Sequence, residues 1–162
     1  MKQKTGIKQW AGLALVLCST AAFAAGGTKP ADPAQTKWKD ECGSCHVAYP
    51  PQLLTAPDWQ RLMGTMDKHF GANAALDPKD AKDILTYLQS HAGSGARHSA
   101  NSLRISDTQW FTRAHHELPG GIWVNAAVKS RSNCTACHIN AERGDWSERG
   151  VRLPGSQRKN DN

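Results

Sequence analysis

The sequence is poor in the residues that usually build a protein interior. Aromatic residues make up 7% of the 162 and all hydrophobic residues 39%, with a mean hydropathy of −0.58. That is thin for a chain with room for one ordinary domain or two very small ones. Alternating strand patterns are scarce, which speaks against a sheet protein. A concentrated basic stripe is missing too, which excludes the usual footprint of a nucleic-acid binder. No apolar run reaches the roughly 20 residues that a bilayer span needs. If such a chain is compact, something other than side chains fills part of its interior.

The one apolar run near the start, residues 10–17, has the form of an export signal. Lys2, Lys4 and Lys8 precede it, and Ala22-Phe23-Ala24 offers a small-residue cleavage site. Residues 1–24 therefore read as a secretory signal peptide. Leu17 before Cys18 argues against a lipoprotein signal. Removing the segment takes away three lysines and no acid, so the formal charge falls from +6 to +3. It also takes away Cys18.

The remaining cysteines are the most informative residues. Cys42, Cys45, Cys134 and Cys137 form two copies of one pattern, Cys42-Gly43-Ser44-Cys45-His46 and Cys134-Thr135-Ala136-Cys137-His138. This C-x-x-C-H pattern is the attachment signature of c-type haem. Two thiols three positions apart reach the two vinyl groups of one macrocycle, and the next residue then lies beneath the ring as proximal iron ligand. His46 and His138 take that role. A pair of disulfides would not explain a histidine after each second cysteine. A zinc ribbon would hold its cysteine pairs much closer in sequence. A thioredoxin-like redox pair needs a βαβ context, of which there is little sign. Two covalently bound haem c groups also resolve the composition, because each is a large apolar plate.

A haem closed on both faces needs a second ligand. Residues 36–41 suggest a helical lead-in to the first motif, and Pro50-Pro51 a break after it. A helix is expected over 57–70, with Thr55 or Ala56 before it and Trp59, Leu62, Met63, Met66 and Phe70 on one face. His69 falls on that face and is the favoured distal ligand of the first haem; Met63 and Met66 are its thioether rivals. A second helix starts at Asp77-Pro78, with Ala81, Ile84, Leu85 and Leu88 inward. His91 at its end is a further rival. Residues 93–101 are rich in small residues and read as a hinge, with His98 in solvent. A third helix over 107–118 buries Trp110, Phe111, Ala114 and Leu118 and turns His115 inward, while a one-residue slip would select His116. A short helix over 122–128 is expected before the second motif, and residues 151–153 are expected to fold back on the core.

The chain resembles the bacterial dihaem cytochrome c family. The residues that carry the resemblance are the first motif with Glu41 and with Ala48-Tyr49-Pro50-Pro51, then Asp67-Lys68-His69-Phe70-Gly71 and Leu76-Asp77-Pro78. Later come Arg104-Ile105-Ser106, Trp110-Phe111, Arg113, His115, and Asn133 before the second motif. The resemblance implies a periplasmic electron carrier with two low-potential haems, each bound by two histidines, with His69 and His115 distal. It also implies redox partners, a small monohaem oxygen-binding cytochrome (the sphaeroides haem protein) and a membrane cytochrome b.

These observations lead to a mostly α, small cytochrome c-like helical protein, with two short-helix lobes each wrapped around a covalently bound haem. The expected layout is signal peptide 1–24, linker 25–36, first lobe 37–98, second lobe 99–155 and polar tail 156–162. The functional expectation is a monomeric electron carrier, not an enzyme, with no membrane span and no nucleic-acid partner. The alternative is a haem enzyme, such as a peroxidase or reductase, or a gas-binding or redox sensor with one displaceable axial ligand. Residues 25–90 sum to −1 and residues 91–140 to +3, so an acidic partner would favour the second lobe.

Overall fold

The computed structural model describes residues 32–155. The segment read as signal peptide, most of the linker and the polar tail lie outside them. Four α-helices and a series of 3₁₀ turns form the described chain, and no strand is present among the described residues beyond isolated bridges. The mostly α expectation holds. No described helix is long and apolar enough to cross a membrane.

Helix α1 spans Pro33–Gly43. It begins inside the stretch read as linker, because Asp32 caps it by accepting from the Ala34 amide and Pro33 fits the first turn. Helix α3, Pro78–Ser90, starts in the same way: Asp77 accepts from the Lys79 amide. Lys37 on α1 pairs with Asp80 and with Asp83 (3.3 Å) on α3 and ties the two helices together.

Helix α2 spans Ala56–Met63, capped by the Thr55 hydroxyl. The helix expected over 57–70 stops here. Gly64 ends it, the Thr65 hydroxyl and amide both turn back to the Leu62 carbonyl, and a 3₁₀ turn follows at Met66–Lys68. Phe70, expected inward, is 44% exposed with φ of +50°. The three helices enclose Trp38, Leu54, Trp59, Leu62, Ile84, Tyr87 and Leu88. Each such side chain contributes about 1.5–3 kcal/mol of burial.

The segment read as a hinge is pinned. The Gly93 amide donates to Leu54 O (2.9 Å), and a Cβ at Gly93 would meet Gln52 O at 2.2 Å, so only glycine fits. Arg61 reaches across to the Ala100 carbonyl at 3.4 Å. His98, expected in solvent, is buried and stacks on Trp110 with ring centres 5.9 Å apart.

Helix α4 spans only Gln109–Ala114. The Thr108 hydroxyl caps it by accepting from the Phe111 amide, so the helix starts later than expected, and it ends at His115. Ala114, expected inward, is exposed; Phe111 is buried. Beyond it the chain runs through 3₁₀ turns at Gly120–Val124, Cys134–Ala136, Ala141–Arg143 and Glu148–Gly150. The first of these replaces the helix expected over 122–128, although Ile122 and Val128 are both buried. Val151 pairs with His138, and the Arg152 amide donates to Cys137 O (2.8 Å), so the late segment does fold back, onto the second motif.

Candidate functional site

In the first motif, Cys42 rides on the last turn of α1, and Cys45 and His46 follow its end. His46 Nδ1 donates to the Val47 carbonyl (2.7 Å), which leaves Nε2 as the lone-pair nitrogen, the tautomer suited to a metal ligand. His69 stands opposite. The 3₁₀ turn at Met66–Lys68 and a tight reversal carry it there: Ala72 donates back to His69 O (3.0 Å), and Gly71 holds φ of +102°. The His46 and His69 ring centres are 6.2 Å apart with planes at 21°. Burial first, then the neighbouring His46 and Arg104, lowers the pKa of His69 and favours the neutral ring.

The second motif is a tight turn in which the Cys137 and His138 amides both donate to Cys134 O (3.2 and 2.8 Å). Asn133 donates its side chain to Val128 O and fixes the approach. His115 faces His138, again with ring centres 6.2 Å apart but with planes at 82°. His115 Nδ1 donates to Phe111 O (2.9 Å), and its ring stacks on Phe111 at 4.1 Å. Burial, then the neighbouring His115, lowers the pKa of His138. Trp123 and Trp146 flank this pair.

The rival residues stand elsewhere. His91 Nδ1 bonds Tyr87 O (2.9 Å) and its ring leans on Tyr87. His116 is exposed beside Glu117. Met63 packs against the helical core, and both Met63 and Met66 form cavity wall.

These residues fit haem. Two imidazoles on one metal, each nitrogen about 2 Å away and the ring centre roughly 1 Å further, separate their centres by about 6 Å. Both histidine pairs show that spacing. Cys42, Cys45, His46 and His69 line one cavity of about 510 Å³, walled by Leu54, Trp59 and Leu62, a size usual for cofactor sites. The four thiols are unpaired, and burial pushes Cys42 and Cys134 up to about 11. Among the described residues no group of three or more His, Cys, Asp or Glu is placed to hold a metal ion.

Three residues here had no assigned role in the sequence. Arg104 lies 4.2 Å over the Phe70 ring, and Arg131 lies 5.2 Å over Phe111 and 5.4 Å over Trp123. Both line the first cavity, where a guanidinium suits the carboxylates of a haem edge. Tyr49 stacks on His46 at 4.6 Å. Arg104 and Tyr49 stood in the sequence only within stretches that resemble a family, and Arg131 carried no signal.

Comparison with known proteins agrees with this geometry. The family model for dihaem cytochrome c matches residues 38–146. The chain is similar to the X-ray structure of a dihaem cytochrome c from Shewanella baltica OS155, with 38% identity and a TM-score of 0.66 over 78% of this chain and 98% of that one. It is also similar to DHC purified from Rhodobacter sphaeroides, with 40% identity and a TM-score of 0.58 over 70% and 96% of the two chains. A second structure of a dihaem cytochrome c from that organism gives 38%, 0.59, 71% and 96%. No curated protein matches the chain. Two covalently bound haem c groups are thus its cofactors. With a family model running from Trp38 to Trp146 and identities near two-fifths over nearly the whole length of the solved relatives, the chain belongs to the dihaem cytochrome c family.

Proposed function

We propose that this cytochrome is an exported, periplasmic electron carrier, not an enzyme, whose two irons are each held by two histidines, His46 with His69 and His138 with His115. Thioethers at Cys42, Cys45, Cys134 and Cys137 anchor the two groups. The observation that carries this reading is the repeated 6.2 Å spacing of facing imidazoles. Haem c, when bound, supplies reversible one-electron exchange. The chain's own residues do the rest. Val47 O and Phe111 O hold His46 and His115 in the tautomer whose Nε2 carries the lone pair. An imidazole on each face leaves no position for a substrate. Keeping Met63 and Met66 as wall rather than ligand favours the lower potential of His/His over His/Met ligation.

Docking follows the charge asymmetry. The excess of cations over residues 91–140 suits an acidic redox partner, with a rate that falls as salt rises. The partners implied by the resemblance, a small monohaem oxygen-binding cytochrome and a membrane cytochrome b, fit a soluble shuttle between them.

Carbon monoxide tests the reading. The reduced wild type should not bind it, and His69→Ala or His115→Ala should each open one site, while His91→Ala and His116→Ala should open none. Stoichiometric binding by the wild type would instead favour the enzyme or sensor reading. Export is tested by the mass of the secreted product, expected to begin at Ala25.

A further inference from the structure

We propose that Tyr49 is a positioning residue that couples the two haem sites. Its ring lies against His46, with centres 4.6 Å apart and planes at 17°. Its hydroxyl donates to the Ser132 carbonyl at 2.6 Å, across 83 residues of chain. Ser132 lies two residues before Cys134, and the Cys134 sulfur is 3.6 Å from that same carbonyl oxygen. Tyr49, Ser132 and Cys134 all line the first cavity, so an anchor of the second haem stands in the wall of the first. From the proximal ring of one site to the sulfur of the other, the path runs through a ring stack, a hydrogen bond and a contact, with no solvent gap.

Local structure makes this strut stiff. Pro50 and Pro51 follow Tyr49 and are buried; Leu53 donates to Pro50 O (3.1 Å), and the Trp59 indole donates to Pro51 O (2.6 Å). On the far side, the Ser132 amide bonds the Ser130 hydroxyl, and the Ser130 and Ser132 hydroxyls bond each other. Tyr49 itself gains and loses nothing: one electron passes from the reduced site to the oxidised one, and the phenol keeps its proton and its electrons. The strut fixes the separation across which that electron moves.

The inference rests on the electron-carrier reading above, and its test is separate from that reading. In Tyr49→Phe the ring stack stays and only the hydrogen bond is lost. Haem content and low-spin spectra should match the wild type, while intramolecular exchange in the one-electron-reduced protein, followed after a reducing pulse, should slow several-fold, because electron tunnelling weakens steeply with each ångström added between the sites. Tyr49→Leu, which also loses the stack, should slow it further. Tyr87→Phe removes the other tyrosine hydroxyl, in the helical core away from the cavity, and serves as control. A Tyr49→Phe rate equal to that of Tyr87→Phe overturns the proposal. Tyr87→Phe also leaves Tyr49 as the only tyrosine, so ultraviolet resonance Raman reads its hydroxyl directly even if Tyr49→Phe fails to mature. A hydroxyl that donates only to water overturns the proposal, and one held as donor to a carbonyl supports it. Carbon monoxide binding by the wild type would sink the carrier reading without touching the strut.

Discussion

The two halves of the described chain are stabilised in different ways. Residues up to about the Gly93 contact fold as three capped helices around seven buried side chains, two of them tryptophan. Residues after it contain one helix, Gln109–Ala114, and otherwise 3₁₀ turns, with Ala100, Phe111, Ile122, Val128 and Ala141 as their buried apolar residues. Short turns close few backbone bonds and bury little. The first half therefore has a side-chain core of its own, while the second buries few apolar side chains. The facing histidine pairs differ too: near-parallel imidazoles in the first half, near-perpendicular in the second, at the same 6.2 Å.

The largest expected effect breaks the two halves apart. Replacing Cys134 and Cys137 by alanine should leave one haem per chain. Residues 99–155 should then lose their resistance to limited proteolysis while the helices of the first half keep theirs. Replacing Cys42 and Cys45 should be milder, leaving helical circular dichroism largely in place. Equal collapse in both variants would refute the difference in how the halves are held.

A middle-sized effect concerns the clamp between them. Asp58 is buried on α2 and bonds Arg61 (2.6 Å), which reaches on to Ala100. Burial pushes the Asp58 carboxyl up, but hydrogen bonds from Arg61, Ser99 and Thr55 outweigh it and hold it below the ordinary carboxylate value. Because the folded value is the lower one, this stabilisation is present above the unfolded carboxyl pKa of about 3.9 and is lost as pH falls through the folded value. Asp58→Asn should cost about 1.5–3 kcal/mol in denaturant melts at pH 7. It should also flatten the acid limb of the stability curve; an unchanged limb would show that the clamp contributes nothing.

The smallest effect sharpens the electrostatic contrast. Arg104 and Arg131 both line the first cavity. Reduction adds negative charge, which a nearby cation favours. Arg104→Ala should therefore lower one of the two potentials by about 10–40 mV and leave the other nearly unmoved, as read by spectroelectrochemical titration. Equal shifts at both haems would show that Arg104 acts on the two sites alike, and no shift at either would place it outside the first site's influence.

Legibility in the sequence followed how local the cause was. Asp77-Pro78 announced α3 because cap and first-turn chemistry involve neighbouring residues. The same chemistry at Asp32-Pro33 was hidden by a surrounding stretch that reads as linker. His69 was selected by helical register from Leu62, yet α2 stops at Gly64 and His69 reaches the site through a turn. The residue agrees with the facing pair in the structure although the route to it does not. His98 looked solvated among glycines and serines, but Trp110 and the pinned Gly93 bury it.

What the sequence by itself determined is the attachment chemistry. Cysteine spacing on one short turn is a local property, and so is the histidine that follows it. Only the tertiary structure decided which distant histidine faces each motif, since His69 over His91 and His115 over His116 depend on where helices end and how turns reverse. It alone also brought Tyr49 to Ser132 and Arg131 to the first cavity, because contacts across many tens of residues leave no period or spacing in the chain that makes them.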